Sequence, residues 1–446
     1  MRHERVSSDS PLTSDDDTAI LHYRRPLEVL EEHNNFTQAR ALGAACLCMV
    51  AIGHCQYTWT LFVTSLQRTL NTDAAAIQLA FSFFVALQTT SVLALGLILP
   101  SARHERSAMA CGGLVLLVAL HGLAGASSLS RLYASAALMG IGVGMSYNVC
   151  MAVSVRTFTT HRGLAAGVVA AGYGAGTLPT IAVIEASIET SGASLTYRAL
   201  AWALSATILT AAAILPPTPP TPPRAAHPKP GGAPPRPQLR LVQVLREPSF
   251  YLLYAMLILI SAVGLVVTAQ LKPMARALGV TEADLVLALE VDRVLNGVSR
   301  PVWGLVSDII GRENTLALAF GAQALVLAAW STVLSSSTAF VAFSALSTFA
   351  WGEIYSLFPA LAADLYGTEH VGQNYGAIYT GKAVASFLAG PLASSVAEAY
   401  SWVGVIRVMA VASAIDAALA LALKRLLQVQ TYRSVTATTQ STSLVL

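Results

Sequence analysis

PPTPPTPPRAAHPKPGGAPPRP, residues 216–237, divides this chain of 446 residues into two parts. A segment so rich in proline cannot form a helix, and it is expected to be an extended linker exposed to water. Long apolar runs cover 41–215 before it and 248–424 after it, two stretches of nearly equal length. The sequence therefore predicts two similar halves joined by a hydrophilic connection.

The composition is that of an integral membrane protein. Hydrophobic residues make up 54% of the chain and charged residues only 11%, whereas a soluble domain carries about 25% charged residues. The apolar runs are about 20 residues long, which is the length of a helix that crosses a bilayer. We therefore expect an all-α membrane protein surrounded by the lipid bilayer.

Polar residues, glycines and prolines separate twelve apolar segments. They lie near 41–63, 77–99, 108–126, 132–155, 163–186, 196–215, 248–271, 285–309, 315–334, 339–363, 375–397 and 402–424. Six segments precede the linker and six follow it. This arrangement predicts 12 transmembrane helices in two six-helix bundles, with a substrate site between the bundles near mid-membrane.

The polar parts and the basic residues predict the topology. We expect a polar tail at 1–40, the linker region at 216–247 and a second tail at 425–446, and no cleaved signal peptide in the first tail. If the amino terminus is cytoplasmic, eighteen Lys and Arg residues lie on that side and five on the other. Positive charge marks the cytoplasmic side. Both termini and the linker are thus expected there, in a multi-pass protein of the plasma (inner) membrane.

Four basic residues lie inside the predicted spans: Arg293, Arg300, Lys382 and Arg407. Arg407 is one turn from the end of its span and is expected to reach the membrane surface. Arg293 follows Glu290 by three residues, so the two are expected to form an ion pair on one helix.

Arg300 and Lys382 have no such explanation. A charge at the centre of a membrane helix costs about 2.5–3.5 kcal/mol on insertion scales, and Lys382 lies far from both ends of its run. No acid precedes Arg300 by three or four residues. Either these two cations pair with a buried acid such as Glu353 or Asp416, or they bind an anionic ligand.

Aromatic and amide side chains lie within the first, fourth, fifth, tenth and eleventh predicted spans. Each aromatic alone is typical of helix packing or of an interfacial belt. Their positions within the spans, together with the two cations, favour the lining of a cavity instead. The candidates are Gln56, Tyr57, Tyr147, Tyr173, Trp351, Tyr355 and Tyr379.

Several motifs resemble those of the major facilitator superfamily and, within it, the oxalate/formate antiporter family. NGVSRPVWGLVSDIIGRENT (296–315) is similar to the end of the family's eighth helix and the loop that follows. FPALAADLYGTEHVGQNYGAIYTGKAVAS (358–386) is similar to its connection between the tenth and eleventh helices, including the intramembrane lysine. The resemblance covers most of 41–424.

The resemblance implies the major facilitator fold and a role for each candidate. Arg300 and Lys382 would be the basic pair that holds a dicarboxylate, with Gln56 as a polar neighbour and the six aromatics above as the cage. The residues Gly304, Asp308, Gly311 and Arg312 would form the superfamily's conformational motif. The loop after the second helix departs from the family, because it reads LPSARHERSAM (99–109) in place of the usual acidic-and-glycine motif.

The function implied is exchange of small carboxylates such as oxalate and formate. One alternative is a proton-coupled monocarboxylate symporter for substrates like lactate or pyruvate, with Glu185, Glu290 or Asp292 as the titrating acid. Another is a sensor that binds carboxylates without moving them. A measurement of flux separates these possibilities.

Other classes lack support in the sequence. It contains no metal-ligand cluster, no nucleophile–base arrangement and no phosphate loop, so we expect neither an enzyme, a cofactor nor a nucleic-acid partner. All five cysteines lie in apolar runs, where we expect them to pack as free thiols. The chain is expected to function as a monomer.

Overall fold

The computed structural model describes residues 14–99, 104–158, 160–217, 238–333 and 336–443. Within these ranges all regular structure is helical. Most of the proline linker and the first 13 residues lie outside the described residues, as does part of the loop after the second predicted span. The expectations for those segments therefore stay predictions.

Fifteen α-helices and one short 3₁₀ turn are present in the described part of the chain. They are α1 (Ser14–Tyr57), α2 (Trp59–Leu70), α3 (Ala74–Ile98), α4 (Glu105–Ala124), α5 (Leu129–Thr157), α6 (Arg162–Ala175), the 3₁₀ turn Leu178–Thr180, α7 (Ile181–Ile214), α8 (Leu241–Val244), α9 (Pro248–Ala277), α10 (Glu282–Ile310), α11 (Arg312–Trp330), α12 (Ser337–Trp351), α13 (Ile354–Tyr366), α14 (Val371–Tyr379) and α15 (Gly381–Ser443).

These helices form the twelve predicted spans. The first span is α1 with α2, the tenth is α12 with α13, and the eleventh is α14 with the beginning of α15. Non-helical backbone at Gly192 separates the fifth span from the sixth, and at Ser401 the eleventh from the twelfth. The short α8 precedes the seventh span.

Seven described helical stretches are, by length and hydropathy alone, able to cross a membrane. Three of the other spans, the eighth, tenth and eleventh, fall short of that description for clear physical reasons. The tenth and eleventh are broken in the middle into shorter helices. The eighth, α10, carries Glu290, Asp292, Arg293 and Arg300 within its length.

The spans pack as two six-helix bundles that meet along two helix pairs. In the first bundle α3 packs on α5, and α4 on α7; in the second α9 and α11 pack on α15. Between the bundles, α6 lies along α10 and α3 lies along α14.

Glycines allow both crossings to be very close. A Cβ added at Gly304 of α10 would lie 2.1 Å from the carbonyl oxygen of Gly163 on α6. A Cβ added at Gly96 of α3 would lie 2.4 Å from the backbone nitrogen of Gln373 on α14. Both distances are far below van der Waals contact, so only glycine fits at these two points.

The five cysteines are free thiols, but one prediction about them is wrong. Four of them pack inside or partly inside the first bundle, whereas Cys111 is exposed on the outer face of α4. An apolar run in a membrane helix has a lipid-facing side, so membership of such a run does not by itself place a side chain in the interior.

Candidate functional site

Arg300 and Lys382, the two unexplained cations, lie against one aromatic ring. The guanidinium carbon of Arg300 is 4.3 Å from the centroid of the Tyr355 ring, and Nζ of Lys382 is 5.4 Å from it. The exposed fractions of the two residues are 0% and 1%. The structure thus brings together two spans, α10 and the eleventh, that are far apart in sequence.

The partners of Arg300 are all neutral. Its guanidinium donates to the carbonyl oxygen of Ala170 at 2.5 Å, to Oδ1 of Asn296 at 2.5 Å and to the Tyr57 hydroxyl at 3.1 Å. Its Nε has no hydrogen-bond partner in the part of the chain that the structure describes. None of the described carboxylates forms an ion pair with this side chain, so its charge is solvated only by dipoles and by the Tyr355 ring.

Lys382 is held more loosely. Its Nζ donates to Oε1 of Gln56 at 3.4 Å and to the Tyr379 hydroxyl at 3.3 Å, which are both long hydrogen bonds. The Tyr379 ring also lies 5.5 Å below the ammonium. An ammonium group has three hydrogens to donate. Lys382 can therefore accept a further ligand without losing a strong bond.

The predicted aromatics enclose the two cations. The Tyr147 and Tyr379 rings are stacked at 5.1 Å, and Tyr173 meets Tyr147 and Tyr57 edge to face at 5.7 Å each. Trp351 meets Tyr355 edge to face at 5.5 Å. All seven predicted neighbours of the cations thus belong to one connected group. The hydroxyl of Tyr173 donates to Gln56 Oε1 at 2.8 Å, which joins this glutamine to the cage.

Three further residues belong to the site and were not predicted. Asn296 binds Arg300, Gln88 donates to the Tyr173 hydroxyl at 3.0 Å, and Tyr375 shares a 3.3 Å hydrogen bond with the Tyr147 hydroxyl. Helical spacing offered a signal for two of them, since Asn296 precedes Arg300 by four residues and Tyr375 precedes Tyr379 by four. Gln88, on α3, had no comparable neighbour in the sequence.

Interruptions of four spans position the cage. The first span breaks at Thr58, next to Tyr57, and the tenth breaks at Gly352 and Glu353, between Trp351 and Tyr355. The eleventh breaks at Thr380, next to Tyr379, and the fifth breaks after α6, shortly after Tyr173. Backbone at such breaks is irregular only where it is enclosed by protein or lines a cavity. Broken spans that meet at mid-bundle are typical of substrate sites in secondary transporters.

The acids considered as partners do not reach the two cations. Glu353 and Asp416 are fully buried, but neither forms an ion pair or a hydrogen bond with Arg300 or Lys382. The expected ion pair between Glu290 and Arg293 is also not formed in the described residues. Glu290 is exposed whereas Arg293 turns partly inward, so the two charges act on each other without forming a direct ion pair.

The remaining predicted cation and acids lie outside the cage. Arg407 is exposed on the outer surface of its bundle, as expected of a residue near the end of a span. Glu185, like Glu290, is exposed. Asp292 is partly buried, near the hydroxyls of Ser344 and Thr348. None of these three acids contacts the two cations of the cage.

The predicted conformational motif joins the two bundles at the end of the molecule where residues 215 and 240 flank the linker, here called the linker end. Asp308 accepts from the backbone nitrogens of Gly163 and Leu164, at 3.0 and 2.9 Å, and pairs with Arg312 at 2.6 Å. Gly311 has a φ of 90°, which ends α10 and turns the chain into α11. The acid thus caps a helix of the opposite bundle.

Asp364, at the linker end of α13, completes this network. It pairs with Arg162 of the first bundle at 2.5 Å and with Arg312 at 3.1 Å. Burial by itself would raise the pKa of Asp364, but the Arg312 and Arg162 guanidiniums outweigh burial and hold that pKa below its usual value. The carboxylate therefore stays charged, and the linker end is closed.

The amino-terminal half closes the same end with different residues. Glu105, at the start of α4, pairs with Arg156 at 2.5 Å. Arg156 also donates to the carbonyl oxygens of Thr368 and Glu369 in the second bundle, at 2.9 and 3.0 Å. In the carboxy-terminal half the corresponding positions hold Arg312 at the start of α11 and Asp364 near the end of α13. The positive and the negative residue thus exchange places between the two halves. An acid–glycine motif is therefore not required for a contact between bundles here.

Comparison with known proteins agrees with this architecture. The family model described as Major Facilitator Superfamily matches residues 42–289 and 264–445. The chain is 31% identical over 384 residues to the oxalate:formate antiporter of Oxalobacter formigenes, which covers 84% of this chain and 89% of that protein. It is 26% identical to the uncharacterized MFS-type transporter YhjX of Escherichia coli K12, covering 74% of this chain and 81% of that one.

Solved structures share the fold at low sequence identity. FucP in its outward conformation matches with a TM-score of 0.68 and 11% identity, covering 87% of this chain and 99% of that chain. The human organic anion transporter MFSD10 matches with a TM-score of 0.66 and 12% identity, covering 86% and 99%. At such identities the likeness concerns the arrangement of the spans and not the ligand.

Proposed function

We propose that this chain, which belongs to the Major Facilitator Superfamily and within it to the oxalate/formate antiporter family, exchanges small carboxylates across the membrane. Its family and fold are those of a transporter. The proposal concerns the cargo and the mode of transport. A similar protein is an oxalate:formate antiporter, and oxalate and formate are therefore the first candidates for the cargo.

One observation carries the proposal: two buried cations share an aromatic cage and have no carboxylate partner in the described residues. A carboxylate in the cage would accept charge-assisted hydrogen bonds from Arg300, whose Nε has no partner among the described residues. It would also accept one from Lys382, whose two present hydrogen bonds are long and are easily replaced. A dianion such as oxalate matches both charges. The rings around the cage would limit its size and exclude bulkier acids.

The same charges account for exchange. Two like charges in a poorly solvated space repel each other more strongly than they would in water. Closing both bundles around the empty cage would bury that repulsion, so the empty carrier is expected to resist reorientation. A bound anion removes the repulsion and permits the movement. Transport in one direction then depends on a carboxylate returning in the other.

The proposed orientation assigns the closed linker end to one side of the membrane. We place both termini, and with them the linker end, on the cytoplasmic side of a plasma (inner) membrane, on the evidence of the basic residues. The contacts of Asp308, Asp364 and Arg156 would then close the cytoplasmic side. The conformation described would then be one in which the cage has no access to the cytoplasm. A monomer supplies all the residues of the cage.

The experiment is a counterflow assay in proteoliposomes with labelled oxalate, formate, malonate, lactate and pyruvate. We expect uptake of small carboxylates only when a carboxylate is present inside, and loss of uptake in Arg300→Ala and Lys382→Ala. Arg407→Ala, which removes an exposed cation of the outer surface, is the matched control and should transport normally. Rapid efflux from loaded liposomes with no external carboxylate would contradict exchange.

The assay also separates the alternatives. A proton-coupled monocarboxylate symporter would accumulate lactate or pyruvate in response to an inward proton gradient, without internal carboxylate. A sensor would bind carboxylates and show no flux with any of them. The exposure of Glu185 and Glu290 disfavours them as titrating acids of the cage.

A further inference from the structure

Two carboxyl groups lie inside the second bundle without partners. Glu353 and Asp416 are each 0% exposed. All four of their side-chain oxygens are buried and have no hydrogen-bond partner among the described residues. A buried acid is normally paired with a cation or satisfied by hydrogen bonds. Neither the cage nor the linker-end contacts use these two groups.

The two carboxyl groups are close enough to act on each other. Glu353 lies in the break between α12 and α13, and Asp416 lies on the last span, within α15. The charge of Glu353 acts electrostatically on Asp416 and on the neighbouring Tyr355. The hydroxyl of Tyr355 is itself without a partner. Along the chain Glu353 is also two residues from Tyr355, whose ring lies against both cage cations.

The charged groups on the surrounding helices do not neutralise this pair. The Arg300 guanidinium on α10 is turned to Ala170, Asn296 and Tyr57, and Lys382 on α15 is turned to Gln56 and Tyr379. Asp292 on α10 lies near Ser344 and Thr348. The other charged residues of α9 and α11 lie at helix ends: Lys272, Arg276, Arg312 and Glu313.

Elementary electrostatics limits the charge that this pair can carry. An ionised carboxylate is strongly disfavoured in a dry interior without a cation or donors. Two such groups beside each other cannot both be ionised, because each raises the energy of the other. At least one of the two carboxyl groups is therefore protonated in the conformation described.

We propose that Glu353 and Asp416 form a proton-binding site, and that this site gains and loses its proton during the transport cycle. On release, one carboxylic O–H bond breaks, the proton passes to water and a carboxylate remains. Glu353 lies two residues from both Trp351 and Tyr355 at the break of the tenth span, so a change in its charge acts on the cage wall. The gain and loss of this proton during transport rests on the proposed function, whereas the protonation of the pair does not.

The first experiment detects the proton without transport. The infrared spectrum of the purified chain contains a C=O stretching band for each protonated carboxylic acid, and carboxylates lack this band. We expect a band that persists at neutral pH, shifts in D₂O and is lost in Glu353→Gln/Asp416→Asn. Asp292→Asn, which removes another partly buried carboxyl group, and Glu398→Gln, which removes an exposed one, should retain it. Absence of this band from the wild type would overturn the proposal.

The second experiment measures carboxylate exchange from about pH 5 to about pH 9. If one protonated form is active, the wild-type rate falls as the pH rises, by up to about tenfold per pH unit. The double variant, which imitates the neutral pair, should lose this dependence, and Glu398→Gln should keep it. The single variants Glu353→Gln and Asp416→Asn repeat the test if the double variant is not recovered folded. A pH profile that is the same in variants and wild type would overturn the coupling to transport.

Two other results have separate meanings. Two carboxylates can also hold a monovalent cation, so exchange is compared in sodium, potassium and choline salts. A requirement for sodium or potassium that disappears in the double variant would overturn the proton assignment. A wild type that moves no carboxylate at all would overturn the proposed function, while the infrared band would still decide the protonation of Glu353 and Asp416.

Discussion

The side-chain oxygen of Asn296 accepts a 2.5 Å hydrogen bond from the guanidinium of Arg300, one helical turn further along α10. The position is the one from which an acid would neutralise the arginine. An amide orients the guanidinium as an acid would, but it leaves the positive charge available to a ligand. This single neutral side chain makes the proposed binding of an anion physically reasonable.

Replacement of this amide by an acid tests the argument. In Asn296→Asp the new carboxylate is expected to pair with Arg300 and to compete with the cargo. An opposite charge at this distance typically shifts an ionisation equilibrium by about 1 to 3 pKa units, so we expect carboxylate affinity to fall about tenfold or more. Affinity is measured by substrate protection or by the concentration dependence of counterflow. Asn296→Ser, which adds no charge, is the control, and equal losses in both variants would contradict the electrostatic reason.

Tyr355 is expected to act through its ring and not through its hydroxyl. The hydroxyl has no hydrogen-bond partner, whereas the ring lies against both cations. Tyr355→Phe should therefore exchange carboxylates at nearly the wild-type rate. Tyr355→Leu removes two cation–π contacts, each worth roughly 0.5–2 kcal/mol, and should lower the exchange rate at least tenfold. Counterflow rates normalised to protein in the liposomes decide between these outcomes, and similar losses in both variants would assign the role to the hydroxyl.

Closure of the linker end depends on the glycine crossing of α6 and α10. In Gly304→Ala the new methyl group would meet the carbonyl oxygen of Gly163, so the two helices must separate. We expect a longer distance across the linker end, measured by double electron–electron resonance between spin labels on α6 and α11. We also expect slower exchange. Gly321→Ala is the matched control, because an added Cβ there meets no atom within 4 Å. An unchanged distance in Gly304→Ala would remove the crossing from the mechanism.

The ion pairs of Asp364 at the linker end should persist at mildly acidic pH. The pKa of Asp364 is held below its usual value, which is about 3.9 for an aspartate. Its contribution to closure is therefore fully present above that value and is lost only as the pH falls through the lower value of the folded state. The same spin-label distance should stay constant from about pH 8 to about pH 5. Opening within this range would show that another group controls closure.

The spans and the two cations were predictable because both follow from solvation. A run of about 20 apolar residues has few alternatives to a membrane helix, and a charge within such a run needs a reason. Arg300, Lys382 and the aromatics were selected on these grounds, and the structure brings them together. Their role in binding remains a prediction.

The errors concern which side of a helix a residue faces. Glu290 and Arg293 have ion-pair spacing, yet one is exposed and the other turns inward. Cys111 lies in an apolar run and is exposed. Gln88 joins the cage from α3 with no sequence neighbour that would reveal it. In a lipid environment both faces of a helix are apolar, so the amphipathic pattern that orients a soluble helix is weak.

The position of Trp351 in the cage wall also depends on Gly264 of α9. A Cβ at this position would lie 1.9 Å from the indole ring of Trp351, so the tryptophan occupies space that the missing side chain leaves empty. Even an alanine there would displace the indole of Trp351 and with it the wall of the cage. A single codon change at Gly264, which lies outside the cage, is therefore expected to alter which of the proposed carboxylates the protein admits.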